Sequence, residues 1–107
     1  EEIGEGAFLG CHALRSIRVP QSVKQIGKSA FMYCEDMEQA VLPSDLRRIE
    51  EETFFLCKKL SRIELPEDLE HIGDKAFYRC PCEHVIAKKY PRLYQPDEKQ
   101  KKFFGLF

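Results

Sequence analysis

Tryptophan is absent from the 107 residues, and no apolar run approaches the roughly 20 residues that a bilayer-spanning helix needs. Net charge is nearly absent as well: 17 Lys and Arg face 18 Asp and Glu, leaving -1. No bulk attraction to nucleic acid or to anionic lipid follows, so neither nucleic-acid binding nor membrane insertion is expected. Also missing are the G-x-S-x-G nucleophile turn, the H-E-x-x-H zinc motif and any glycine-rich phosphate loop, and without them the chain reads as non-catalytic. What is present, 43% apolar and 33% charged residues, suits one folded domain and not a disordered tail. The charge is unevenly placed. Residues 88–107 hold six basic and two acidic side chains, +4, against eleven basic and sixteen acidic, -5, in the rest. The last twenty residues are therefore a segment of a different kind.

Shifted by 23 positions, the chain falls onto itself. Ile3, Ile26, Ile49 and Ile72 align, as do Phe8, Phe31, Phe54 and Phe77, and Cys11, Cys34, Cys57 and Cys80. Three more columns run through the first three units: Leu14/Met37/Leu60, Pro20/Pro43/Pro66 and Val23/Leu46/Leu69. Within a unit, Ala30, Phe31, Cys34 and Met37 show the three-residue spacing of a short α or 3₁₀ turn. Ile17-x-Val19 and Ile63-x-Leu65 alternate like a strand of about three residues that stops at the proline. So short a unit cannot close a core alone and must stack on its copies, with parallel strands about 4.8 Å apart and the apolar columns turned inward as ladders.

Segments such as Leu60-Ser-Arg-Ile63-Glu-Leu65-Pro66, followed by Ile72-Gly73-Asp-Lys-Ala76-Phe77-x-x-Cys80, resemble the BspA-like leucine-rich repeats. These are 23-residue units of bacterial and protist proteins that are often surface-exposed. The resemblance implies an α/β solenoid of about four repeats, with short parallel strands on one face and short α or 3₁₀ turns on the other. The units run 3–25, 26–48, 49–71 and a partial 72–87, so that 1–87 is the stack and 88–107 a C-terminal cap and basic/apolar tail. Glu50 stands where the pattern has Gly, Thr53 where it has Ala, and the fourth unit loses its Leu and Leu-Pro at Glu83 and Lys88-Lys89. By resemblance the parent looks like a bacterial protein of the cell surface or a secreted one engaged with a host, whereas reduced cysteines fit the cytoplasm.

Solvent-facing residues test the stacking independently, since one register should place them side by side. Glu5/Lys28/Glu51 alternate in sign, and Glu35/Lys58, Asp36/Lys59 and Arg15/Glu38 are complementary, whereas Asp45/Asp68 and Lys24/Arg47 are not. Beginning at Glu1-Glu2-Ile3, the chain reads as a cut piece or mature product whose first rung, Ile3, Phe8 and Leu14, is poorly covered. Self-association through that end is expected. At the other end Val85, Ile86, Leu93 and Tyr94 are expected to cover the last rung, and Phe103-Phe-Gly-Leu-Phe107 either folds back or docks on a partner.

Four of the five cysteines share one column, where they read as small buried fillers with free thiols. Cys80-Pro-Cys82-Glu-His84 brings three soft ligands close, but the spacing is not that of a zinc site and no second pair exists. No cofactor or metal is expected. Surface recognition remains, with a protein ligand of unknown identity as the partner. On the strand face Ser16 and Arg18, Gln39 and Val41, and Arg62 and Glu64 point outward, either as a binding surface or as a solvated one. After each ladder Phe, the residues Leu9, Met32, Phe55 and Tyr78 form an apolar stripe, either packed along the flank or offered to a partner. The reading is a protein-interaction module; the alternative is a purely structural scaffold, with a metal site near Cys80–His84 a remoter one.

Overall fold

The computed structural model describes residues 1–96; the expectations for the Phe103–Phe107 segment lie outside them. Two sets of short strands recur once per unit. Strands β2 (Ser16–Arg18), β4 (Gln39–Val41) and β6 (Arg62–Glu64) form one parallel sheet in the order β2-β4-β6. Its register is the 23-residue offset itself, Ile17 opposite Ala40 opposite Ile63. On a second side β1 (Glu2–Ile3) pairs with β3 (Gln25–Ile26), and β5 (Arg48–Ile49) with β7 (His71–Ile72).

That second ladder is interrupted between β3 and β5, and the third unit's departure from the repeat explains it. A Cβ built on Gly27 would lie 2.5 Å from the backbone N of Glu5, and one on Gly73 would lie 2.4 Å from that of Glu51. Backbones therefore touch where the column holds glycine. Gly27 and Gly73 donate to Ile3 and Ile49 of the rung before, each at 2.7 Å. Glu50 carries a Cβ into the same position, and among the described residues no bond joins its N–H to Ile26. One side chain has split the ladder into two pairs of rungs.

Opposite the sheet, the expected turns are a train of β-turns and not helix. Alternate N–H groups close i→i−3 bonds, as Ala30 to Gly27, Met32 to Ser29 and Cys34 to Phe31. The intervening ones reach the following rung: Ser29 to Glu51, Phe31 to Thr53 and Tyr33 to Phe55. Holding both directions requires left-handed backbone at two positions per unit. These are Gly6/Ser29/Glu52/Lys75 and Gly10/Tyr33/Leu56/Arg79, all with φ between 56° and 72°. Six of the eight are not glycine, at about 1 kcal/mol or more of strain each, which the inter-rung bonds offset.

The core is the set of ladders. Phe31, Phe54 and Phe77 are fully buried and Phe8 half-buried, with successive ring centroids 5.2, 5.3 and 5.5 Å apart and planes within 9°. Beside them the thiols do more than fill space. Cys34, Cys57 and Cys80 donate to the carbonyls of Phe8, Phe31 and Phe54 at 3.2, 3.1 and 3.0 Å, each tying its rung to the one below.

The fourth unit would place a strand at Val85–Ala87 but forms helix α1 (Glu83–Lys89) instead, with Glu83 in its first turn and Lys88 and Lys89 in its last, charges that suit the helix dipole. Beyond the helix, Tyr94 closes the phenylalanine ladder edge-on, its ring 5.7 Å from Phe77. In the lower rungs the N–H groups of Phe54 and Leu56 reach carbonyls of the next rung, Ala76 and Tyr78. In the top rung their equivalents, Phe77 and Arg79, reach the Tyr94 hydroxyl and the Glu83 Oε1, both at 3.3 Å. The hydroxyl donates in turn to Glu83 Oε2 at 2.5 Å. Two side chains thus replace the carbonyls of a missing fifth rung, which accounts for a carboxyl buried in the core. Ile86 and Tyr94 are buried and Leu93 partly so, as expected of a cover. Val85 is not: one step round the helix from Ile86, it is 55% exposed.

Candidate functional site

The strand face is made by the outward residues of β2, β4 and β6. Because parallel pairing is in register, Ser16, Gln39 and Arg62 form one column and Arg18, Val41 and Glu64 another. Neighbours within a column are spaced by the sheet at about 4.8 Å. Arg18, Gln39, Arg62 and Glu64 are exposed and Val41 is half-buried between its neighbours. Two shallow depressions cross the face. One is walled by Arg15, Glu38, Lys59 and Arg62, the other runs over Val41, Ile63 and Glu64.

The side chains of Arg18, Gln39, Arg62 and Glu64 have no hydrogen-bond or ion-pair partner among the described residues. Arg15 and Glu38, expected to pair, do not come within ion-pair distance either. The ion pairs present lie elsewhere, and three of them join residues 23 apart, Lys28–Glu51, Lys58–Glu35 and Lys59–Asp36, at 3.1, 3.6 and 3.3 Å; in the same register His12 Nδ1 lies 3.8 Å from Glu35 Oε1. The Glu51 carboxylate, bonded to Lys28, raises that ammonium's pKa. Exposed pairs like these are screened by solvent and support the register more than the stability.

On the turn side, Met32, Phe55 and Tyr78 are half-buried and Leu9 is 51% exposed. Phe55 stacks on Tyr78 with centroids 4.9 Å apart, and Tyr33, 39% exposed, meets Phe55 edge-on at 5.9 Å. Lys75 and Arg79 lie over the Tyr78 ring at 5.6 and 5.8 Å. Tyr33 belongs to this surface although its place in the repeat sets it one residue beyond the stripe; the left-handed turn there swings it back onto Phe55.

The cysteines form no bridge. All five are free, and Cys34, Cys57, Cys80 and Cys82 are buried. Burial, with the neighbouring Cys57 thiol, pushes the Cys34 thiol up to about 12 and that of Cys80 well above its usual value. Such thiols are poor nucleophiles. His84 is exposed on α1 while Cys80 and Cys82 face the core, so the Cys80–His84 segment does not gather its three ligand types. Among the described residues, no group of three or more His, Cys, Asp or Glu could hold a metal ion, and no helix is long and apolar enough to cross a membrane.

The model of the BspA type leucine rich repeat region, described as 6 copies, matches residues 1–93. The chain belongs to this family. Two solved leucine-rich repeat proteins are similar to it. One, from T. pallidum, is 29% identical with a TM-score of 0.78, over 91% of this chain and 46% of its own length. The other, from Bacteroides ovatus, is 27% identical with a TM-score of 0.73, over 90% of this chain and 27% of its own length. The chain thus spans about half of one relative and about a quarter of the other. No curated protein matches it. Leucine-rich repeats of this type generally serve protein interaction or structural roles and are generally non-catalytic.

Proposed function

We propose that this BspA-type repeat stack is a non-catalytic protein-interaction module, and that it meets its partner on the strand face through Arg18, Gln39, Val41, Arg62 and Glu64. The observation that carries the reading is the order of the sheet face: four polar side chains stand in its in-register columns with no hydrogen-bond or ion-pair partner among the described residues. A sheet holds them in place before binding, so little ordering entropy is lost on docking. Met32, Phe55 and Tyr78 offer a second and smaller contact, since all three are half-buried and the Phe55 and Tyr78 rings are already stacked on each other. A parent protein at the bacterial surface is consistent with the family resemblance and with two bacterial relatives.

A photo-crosslinking residue at Gln39, compared with one at Asp45 off the sheet, tests this. Discrete crosslinked proteins from Gln39 and none from Asp45 are expected. Equal yields at both positions, or none at either, favour the scaffold reading.

A further inference from the structure

Among the described residues no further strand pairs with β6 on its outer edge, which helix α1 meets only at its end, where the Tyr90 hydroxyl donates to the Pro66 carbonyl at 3.2 Å. Toward β4, β6 is fully used: the Arg62 N–H donates to Glu38, and the Glu64 carbonyl accepts from Leu42. In a parallel ladder, successive residues bond to opposite sides, so the peptide groups of Ile63 and Leu65 face away from β4. In the lower rungs the equivalent donors, Val19 and Leu42, reach Val41 and Glu64 of the next strand. The Leu65 N–H would reach Ala87, but residues 83–89 are helix, and it has no protein partner among the described residues. Ile63 and Leu65 are half-buried as a result.

Between this edge and α1 runs a groove of about 160 Å³. Ile63 and Leu65 form one wall, and Val85, Ile86 and Tyr90 the other. Its volume suits one or two aliphatic side chains. Lys89, its ammonium over the Tyr90 ring at 5.6 Å, stands at the mouth, and neither it nor Lys88 has an ion-pair partner among the described residues.

We propose that this edge is a docking site for an extended segment of a partner polypeptide, which adds to β6 as the next strand of the sheet. The open N–H and C=O groups call for a β-strand backbone, the groove for an apolar side chain at alternate positions, and Lys89 at its mouth for an acidic residue beside it. The site shares β6 with the strand face but is reached from the edge, so its test reads Val85 and the Leu65 amide, which the strand-face reading does not use.

The test uses the full chain and a fluorescein-labelled peptide with an alternating Val-Thr core flanked by Asp and Glu. Saturable anisotropy change is expected, with at least ten-fold slower exchange of the Ile63 and Leu65 amides. Affinity should fall at least ten-fold in Val85→Asp, whose exposed position leaves the circular dichroism unchanged. It should fall as much for a peptide with proline at alternate core positions, which keeps the charge and loses the donors. Absence of saturable binding overturns the proposal, as does binding that leaves both amides unchanged. Amides already protected in the free chain overturn it too, because the edge is then held by the chain itself or a second copy. Tighter binding of a single-stranded oligothymidine would show a polyanion site instead.

Discussion

The thiol of Cys57 donates to the carbonyl of Phe31, 26 residues earlier, at 3.1 Å. This bond makes the cysteine column part of what joins the rungs, beside its role in filling the interior.

Replacement of that thiol separates the two roles. Cys57→Ala removes volume and donor together and should cost about 2 kcal/mol. Cys57→Ser keeps a donor and should cost less, even though serine is more polar. Chemical denaturation of the two variants measures the order; a filler alone predicts the reverse.

Gly73 presses on the backbone of Glu51, whereas nothing lies within 4 Å of a Cβ at Gly4. Gly73→Ala should therefore destabilise by about 3 kcal/mol or more, since the obstacle is backbone and cannot move aside. Gly4→Ala should change stability by less than about 0.5 kcal/mol. Thermal melts of the pair check both.

Ser29 holds φ at 59° in a column whose first member is Gly6. Ser29→Gly should raise stability by about 0.5–1 kcal/mol, because relief of left-handed strain outweighs the added freedom of the unfolded chain. A lower melting temperature would show that the turn tolerates the side chain without strain.

Alkaline pH should loosen the stack. Burial raises the Cys34 and Cys80 thiols, and burial with the adjacent Glu83 carboxylate raises the Tyr94 phenol. Each group stays protonated when folded and ionises when unfolded, so its contribution is whole below the unfolded value and is lost as pH rises. The loss begins near pH 9 for the thiols, with a slope of about 1.4 kcal/mol per pH unit per group, and for Cys34 levels off near 12. Urea midpoints between pH 7 and 11 should fall, and fall less steeply in Cys34→Ala.

The repeat, the strands β2, β4 and β6, and the Phe and Cys ladders were legible because stacking forces one spacing on every interior residue; the two-residue strands β1, β3, β5 and β7 are too short to show alternation and were not. The same comparison could have revealed the left-handed turns, since Gly6 and Gly10 align with Ser29 and Tyr33; with side chains in three of four copies, the glycine signal was diluted. Glu50 stood out as a departure, but that it parts β3 from β5 depends on how closely Gly27 and Gly73 meet the rung below. The strand-face residues were readable from alternation, whereas their lack of partners was not: Arg15 and Glu38 match in sign yet do not pair. The cap was hardest. Glu83 stands where the earlier units have Leu14, Met37 and Leu60, and only the two open N–H groups of the top rung explain a carboxyl at that interior place.

Every surface assigned here depends on the constant offset that sets the aromatic file, so the most direct measurement is a nuclear Overhauser spectrum of protein with labelled phenylalanine and tyrosine rings. Cross-peaks are expected for Phe8–Phe31, Phe31–Phe54, Phe54–Phe77 and Phe77–Tyr94, and none for Phe8–Phe54 or Phe31–Phe77. A cross-peak between rings two rungs apart, or silence between neighbours, would contradict the stack and the surfaces with it.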